Sequence, residues 1–78
     1  MKPEKSQNFK EFLKNHRYTF RSFGEKIGVS GQAVLKWANR RSLPDEENLN
    51  KILDSIAYDE RCSRKQAEKI FYSRVDKV

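Results

Sequence analysis

An all-α fold, a compact bundle of five short helices, is predicted from three features of this 78-residue chain. β-Branched residues are sparse and never alternate with polar ones over the length of a strand, which argues against sheets. Apolar residues instead recur three and four apart in five stretches, as one buried face of a helix requires. A residue suited to capping a helix N-terminus opens each stretch. The two prolines, Pro3 and Pro44, lie where helices begin or are interrupted.

The first helix is expected from Ser6 to Asn15, with Ser6 as cap and Phe9, Phe12, Leu13 and His16 on one face. The second runs from Thr19, its cap, to Ile27. Phe20, Phe23, Gly24 and Ile27 form its inward stripe, and Gly28 stops it by tolerating a left-handed backbone. The third spans Ser30 to Ala38, capped by Ser30, with Val34 and Trp37 inward. A loop of Arg40, Arg41 and Ser42 follows, and Leu43 is expected to pack back on the core. Pro44-Asp45 opens the fourth helix, where Asp45, Glu46 and Glu47 suit the positive end of the helix dipole. Leu49, Ile52, Leu53 and Ile56 are its apolar stripe. The polar stretch from Asp59 to Cys62 separates a fifth helix. Ser63 and Gln66 have capping-box spacing there, and Ala67, Ile70, Phe71 and Val75 form an apolar face.

The length predicts a single domain over residues 1–78, and a chain this small buries only about 60% of its unfolded surface. Apolar and charged residues are 36% each, so the interior is small. The one cysteine, Cys62, forms no internal disulfide and sets no zinc spacing, which points to a reducing cytoplasm. No apolar run approaches the ~20 residues of a membrane span, and the charged start from Met1 to Lys5 leads into no apolar signal segment. Secreted disulfide mini-proteins, membrane proteins and enzymes with large pockets are thereby disfavoured.

The net charge of +6 is unevenly placed. Residues 1–43 hold ten Lys and Arg against three Asp and Glu, giving +7; residues 44–78 hold seven against eight, giving −1. An anionic partner is therefore expected on the first half.

The segment from Thr19 to Trp37 carries the most information. Two short helices flank a three-residue turn, Gly28-Val29-Ser30, and small residues, Gly24 and Ala33, stand where the helices would cross. This is the layout of a helix-turn-helix, whose second helix enters the DNA major groove. Ser30, Gly31, Gln32, Leu35 and Lys36 are then the expected base-contacting positions. Gln32 presents an amide that matches an adenine edge, Lys36 a donor for guanine, and Leu35 an apolar contact for a thymine methyl or a sugar. Ser30 suits a phosphate as well as its cap, and Gly31 has no side chain with which to read a base. Arg17, Thr19, Arg21, Asn39, Arg40 and Arg41 flank the pair and are expected on phosphates, which set register and salt-dependent affinity.

Residues 19–44, T-F-R-S-F-G-E-K-I-G-V-S-G-Q-A-V-L-K-W-A-N-R-R-S-L-P, resemble the helix-turn-helix of the phage repressor and Cro-like transcription regulators. The resembling features are Phe23-Gly24, the Gly28-Val29-Ser30 turn, Val34 and Trp37 three apart, and a basic loop leading to Pro44. The resemblance extends over nearly the whole chain through helices one, four and five, and implies a lambda repressor-like fold. It also implies a repressor that occludes a promoter by occupancy. The chain departs from the family where a phosphate-binding Gln is usual and Phe20 stands instead, so that contact is lost or moves to Arg17 or Arg21. It departs again where Gly usually follows the Asn ending helix three. Arg40 stands there, so Asn39 is expected to take the left-handed turn.

A dimer follows from mechanism, because two recognition helices about one DNA turn (~34 Å) apart read an inverted repeat better than one helix reads a single site. Ile70, Phe71 and Val75 on helix five are the candidates for self-contact, with completion of the monomer core as the equal alternative. His16 is expected to cap or cover the core, Trp37 to be core, and Cys62 to be an ordinary thiol. Tyr18, Tyr58 and Tyr72 form no stacking platform. No catalytic set and no glycine-rich phosphate loop is present, so neither an enzyme nor a cofactor or metal is expected. Two rival readings remain on the residues alone. One is an antitoxin- or antirepressor-like protein-interaction module. The other is an activator whose Asp45-Glu46-Glu47 patch contacts RNA polymerase.

Overall fold

The computed structural model describes residues 6–73. Val75, named above for self-contact, lies outside them. Five α-helices follow one another: α1 Phe9–Asn15, α2 Phe20–Ile27, α3 Gly31–Ala38, α4 Glu46–Glu60 and α5 Arg64–Tyr72. Among the described residues there is no strand.

Each helix starts where a side chain accepts the amide three residues on, satisfying a donor that has no partner within the helix. The Thr19 hydroxyl oxygen accepts from the Ser22 amide and the Thr19 amide donates to the Ser22 hydroxyl oxygen, both at 2.9 Å, which makes a full capping box. Ser30, Asp45 and Ser63 accept from Ala33, Asn48 and Gln66 at 3.2, 3.0 and 3.1 Å. At α1 the cap is Asn8, which accepts from Glu11 at 2.9 Å, and not Ser6. Ser6 is buried and bonded elsewhere, so the helix begins later than its apolar spacing suggests.

The carboxyl ends share one device. Gly28 ends α2 with φ 89°, as expected of a glycine stop. Arg17, Arg40 and Arg61 adopt the same left-handed backbone, at φ 62°, 62° and 56°, after α1, α3 and α4. In each case this residue and the next bond back to two late helix carbonyls; after α3, Arg40 donates to Trp37 (3.2 Å) and Arg41 to Lys36 (2.8 Å). The expectation that Asn39 takes the left-handed turn is thus corrected: Asn39 has φ −93° and Arg40 turns. The turn falls one residue later because Asn39 still follows the helical path as the last cap.

The core gathers all five helices. Phe12, Phe23, Val34, Ile52, Ile56 and Ala67 have no exposed surface. Aromatic edges meet aromatic faces there: Phe9 with Phe23 at 5.6 Å and with Phe71 at 5.0 Å, and Phe12 with Phe23 at 5.9 Å. Burial decides one open alternative and overturns one expectation. Ile70 and Phe71 are 1% and 4% exposed, so they complete the monomer core and offer no surface to a second copy. Their stripe is needed inside, because α5 packs on α4 and α1. Leu43, expected to pack back, is 67% exposed, since the loop after Arg41 leads outward to the start of α4.

Polar clamps join distant helices. Glu60, at the end of α4, accepts from the Ser6 hydroxyl (2.7 Å) and the Ser6 amide (3.0 Å) and pairs with His16 Nε2 (2.7 Å). Its side chain is 5% exposed. Burial alone would push this carboxyl up, but the Ser6 bonds and His16 outweigh it, so its pKa lies below the ordinary 4.5. His16 lies tilted over Phe12, ring centroids 4.9 Å apart, and covers the core, as its position at the end of α1 suggests. Nearby, Lys26 of α2 bonds to the Tyr18 hydroxyl (2.6 Å) and to Asp59 of α4 (3.3 Å). Burial lowers the Lys26 pKa, but these two partners raise it above 10.5.

Candidate nucleic-acid interface

Helices α2 and α3 form the most extensive helix pair, and glycine makes their approach possible. A Cβ on Gly24 would lie 2.6 Å from the Val29 carbonyl oxygen, so the turn crosses directly over α2. A Cβ on Gly31 would lie 3.0 Å from Arg21 Cα, so the start of α3 rests against the backbone of α2. Gly31 is therefore a crossing position, where the lack of a side chain lets α3 come close to α2. Ala33, expected at the crossing, is partly buried against the core.

The two faces of α3 are sharply divided. Val34, Trp37 and Ala38 are buried. Gln32, Leu35, Lys36 and Asn39 fall at i, i+3, i+4 and i+7 and are all exposed, so they make one outward stripe with Ser30 exposed before it. Sequence spacing anticipates this division because Val34 and Trp37 are the only large apolar residues that share a face. Leu35 stands out on the stripe as a large apolar side chain left in solvent.

Cations bracket the stripe. The Arg21 backbone touches the amino end of α3 and its side chain is exposed, 3.4 Å from the exposed Glu25. Such an open pair is weak and is easily exchanged for another anion. Arg41 is exposed at the other end of α3, one residue past the turn. Arg17 is exposed in its left-handed turn before α2. Thr19 is exposed, but its oxygen already serves the α2 cap, which leaves its hydroxyl proton to donate.

Arg40 departs from this set. Its Nη2 donates to the Ser73 carbonyl at 2.7 Å and to the Phe71 carbonyl at 3.3 Å. Its guanidinium is thus directed to the end of α5. Helix ends carry carbonyls without intrahelical partners, and a cation is favoured there. Sequence reasoning missed this tie, since no local signal links residues so far apart. It also missed Glu25, a carboxylate within the cationic surface, although its i, i+4 spacing from Arg21 was readable.

No helix among the described residues is long and apolar enough to cross a membrane. Compared with known proteins, the chain matches no family model, no curated protein and no solved structure.

Proposed function

We propose that the protein is a sequence-specific double-stranded DNA-binding transcription regulator, a repressor that acts by occupying a promoter. The observation that carries this reading is the exposed stripe of Gln32, Leu35, Lys36 and Asn39 on a helix fixed at close range to α2 and bracketed by Arg21 and Arg41. Helix α3 is the width of a major-groove reader, and its outward side chains suit base edges. The arrangement of α2, turn and α3 is compatible with a helix-turn-helix, which supports the Cro-like resemblance.

In this reading Gln32 addresses an adenine, Lys36 a guanine and Leu35 a thymine methyl or a sugar. Arg17, Thr19, Arg21, Asn39 and Arg41 hold phosphates, with Ser30 able to join them. The protein binds an inverted repeat as a homodimer and works at the nucleoid in the cytoplasm. Because Ile70 and Phe71 are buried in the monomer, the self-contact lies on other residues.

Selection of duplexes from a randomised pool tests the proposal directly. Enrichment of an inverted repeat supports the dimeric reader; no enrichment by folded protein removes the DNA reading. Replacing Gln32 with alanine should then cost about 1–3 kcal/mol at a single base position and relax the preference there. An equal loss on every sequence would move α3 out of the groove.

A second reading, a protein-interaction module, is favoured by the exposure of Leu43 (67%) and Tyr58 (82%). Salt-independent capture of a protein with no duplex selected would favour it. An activator that touches RNA polymerase through the exposed Asp45, Glu46 and Glu47 differs from a repressor in the sign of a reporter response.

A further inference from the structure

We infer that Arg40 is a positioning residue of the DNA-reading surface: its guanidinium ties the end of α3 to the end of α5 and so sets the orientation of α3, without itself touching a phosphate. The second half of this inference rests on the DNA-binding reading proposed above.

Three observations lead to it. Arg40 holds a left-handed backbone at φ 62°, a conformation that glycine adopts without strain and arginine does not. Such strain persists where the surroundings hold the residue in place. Here the backbone bonds of Arg40 and Arg41 to Trp37 and Lys36 hold the turn, and the Arg40 side chain, fixed at its root, donates to the carbonyls of Phe71 (3.3 Å), in the last turn of α5, and of Ser73 (2.7 Å), its C-cap.

The second observation is an open cleft of about 420 Å³ between the start of α1, the end of α3 and the end of α5. Asn8, Lys10, Trp37, Asn39, Arg40 and Phe71 are among its lining. The carboxyl end of α3 is therefore not packed flush against α5, and the Arg40 side chain reaches α5 beside this gap. The third is that α3 packs extensively on α2 alone. Its amino end is fixed by Gly31 against Arg21, while its carboxyl end relies on Trp37, Ala38 and the Arg40 tie.

A helix fixed firmly at one end pivots about it. Gln32 and Lys36 read base edges by hydrogen bonds that tolerate displacements of only about 0.5 Å. Loosening the Arg40 end would blur both contacts together and leave the phosphate-binding cations in place. Loss of Arg40 thus lowers discrimination between sequences while the number of phosphate contacts stays constant.

Two variants separate this role from its rivals. Arg40→Gly keeps the left-handed turn without strain and removes the guanidinium. Arg40→Lys keeps the charge and removes the planar fork. In the free protein, amide exchange in the last turn of α5 and at Arg41 should quicken about tenfold in Arg40→Gly, which reads local opening. Unchanged exchange would overturn the tie.

On DNA, the ratio of affinities for the selected and a scrambled duplex should fall about tenfold in both variants. The dependence of log affinity on log salt should keep its slope, since a lost phosphate contact would reduce it by about 0.9. A slope reduced in Arg40→Gly and restored in Arg40→Lys would make Arg40 a phosphate contact and overturn the inference. A lowered stability with an unchanged affinity ratio would make it purely structural, which also overturns it. If the wild type selects no duplex, the DNA reading fails along with this residue's part in it, while the exchange measurement still decides whether the tie exists.

Discussion

Between α2 and α3 the backbones nearly touch, with Gly24 under the Val29 carbonyl and Gly31 against Arg21. Between α4 and α5 the joining is done by side chains. Arg64 bonds to Asp54 at 2.7 Å and to Asn50, and Ile52, Ile56, Ala67 and Ile70 fill the space between the helices. Charge follows the same division. The α4–α5 side carries acid and base together, as in the Arg64–Asp54 and Lys51–Glu47 pairs. Around α3, Lys36 and Arg41 make no ion pair among the described residues, and Arg21 has only the loose Glu25. The first arrangement leaves cations free to meet a polyanion, and the second uses them within the fold. A net charge of +6 therefore understates how basic the α2–α3 surface is.

The sharpest way to break this contrast is at Gly24. Gly24→Ala places a methyl 2.6 Å from a backbone oxygen that cannot swing away, and should destabilise by about 3 kcal/mol in urea unfolding. A loss well under 1 kcal/mol would show that the turn is free to lift off α2, and that the two halves are not built differently.

Next in size is Glu60, which joins the α4–α5 half to the ends of α1 through Ser6 and His16. Glu60→Gln should lower stability by about 2 kcal/mol at neutral pH, the range for bonds to a charged group. The folded-state pKa lies below its ordinary value, so folding favours the ionised form. Its contribution is full above about 4.5 and fades as pH falls through the lower folded value. Chemical denaturation across this range should show the wild type losing stability on acidification more steeply than Glu60→Gln. Parallel curves would dismiss the clamp.

Smaller effects sharpen the charge contrast. Arg21→Ala and Arg41→Ala should each lower the salt slope of DNA binding by about 0.9, while Arg64→Ala on the other half should leave it unchanged. Equal slopes for all three would mean that the cation distribution does not locate the partner.

The smallest expected change is a gain. Arg61→Gly relieves a left-handed arginine after α4 and should raise stability by about 0.5–1 kcal/mol in thermal melts, with DNA affinity unaltered. Arg17→Gly should bring a similar gain in stability but reduce DNA binding. If the two variants behave alike on DNA, Arg17 is not part of the interface.

Much of the molecule could be read along the chain because its signals are local. Thr19, Ser30, Asp45 and Ser63 cap the helices expected of them, and each acts on an amide only three residues away. The inward stripes of α2, α3 and α4 follow helical periodicity, and Gly28 stops α2 within one turn. The outward stripe of α3 is the complement of Val34 and Trp37, so it was legible as well. Even the misplaced start of α1 had a local signal, since Asn8 and Glu11 have the spacing of a cap and its third residue.

What could not be read there involves partners distant in sequence. Arg40 looks like any exposed arginine at the end of α3 until the fold brings Ser73, 33 residues away, within 2.7 Å. Ser6 looks like a cap until Glu60, 54 residues away, reaches it. Ile70 and Phe71 could as well have faced a second copy, and only the seating of α5 against α1 and α4 puts them inside. Capping and periodicity act within a turn or two of helix and are written in neighbouring residues. Which long side chain meets which helix end depends on the packing angles of whole helices, and those emerge only when the common core closes.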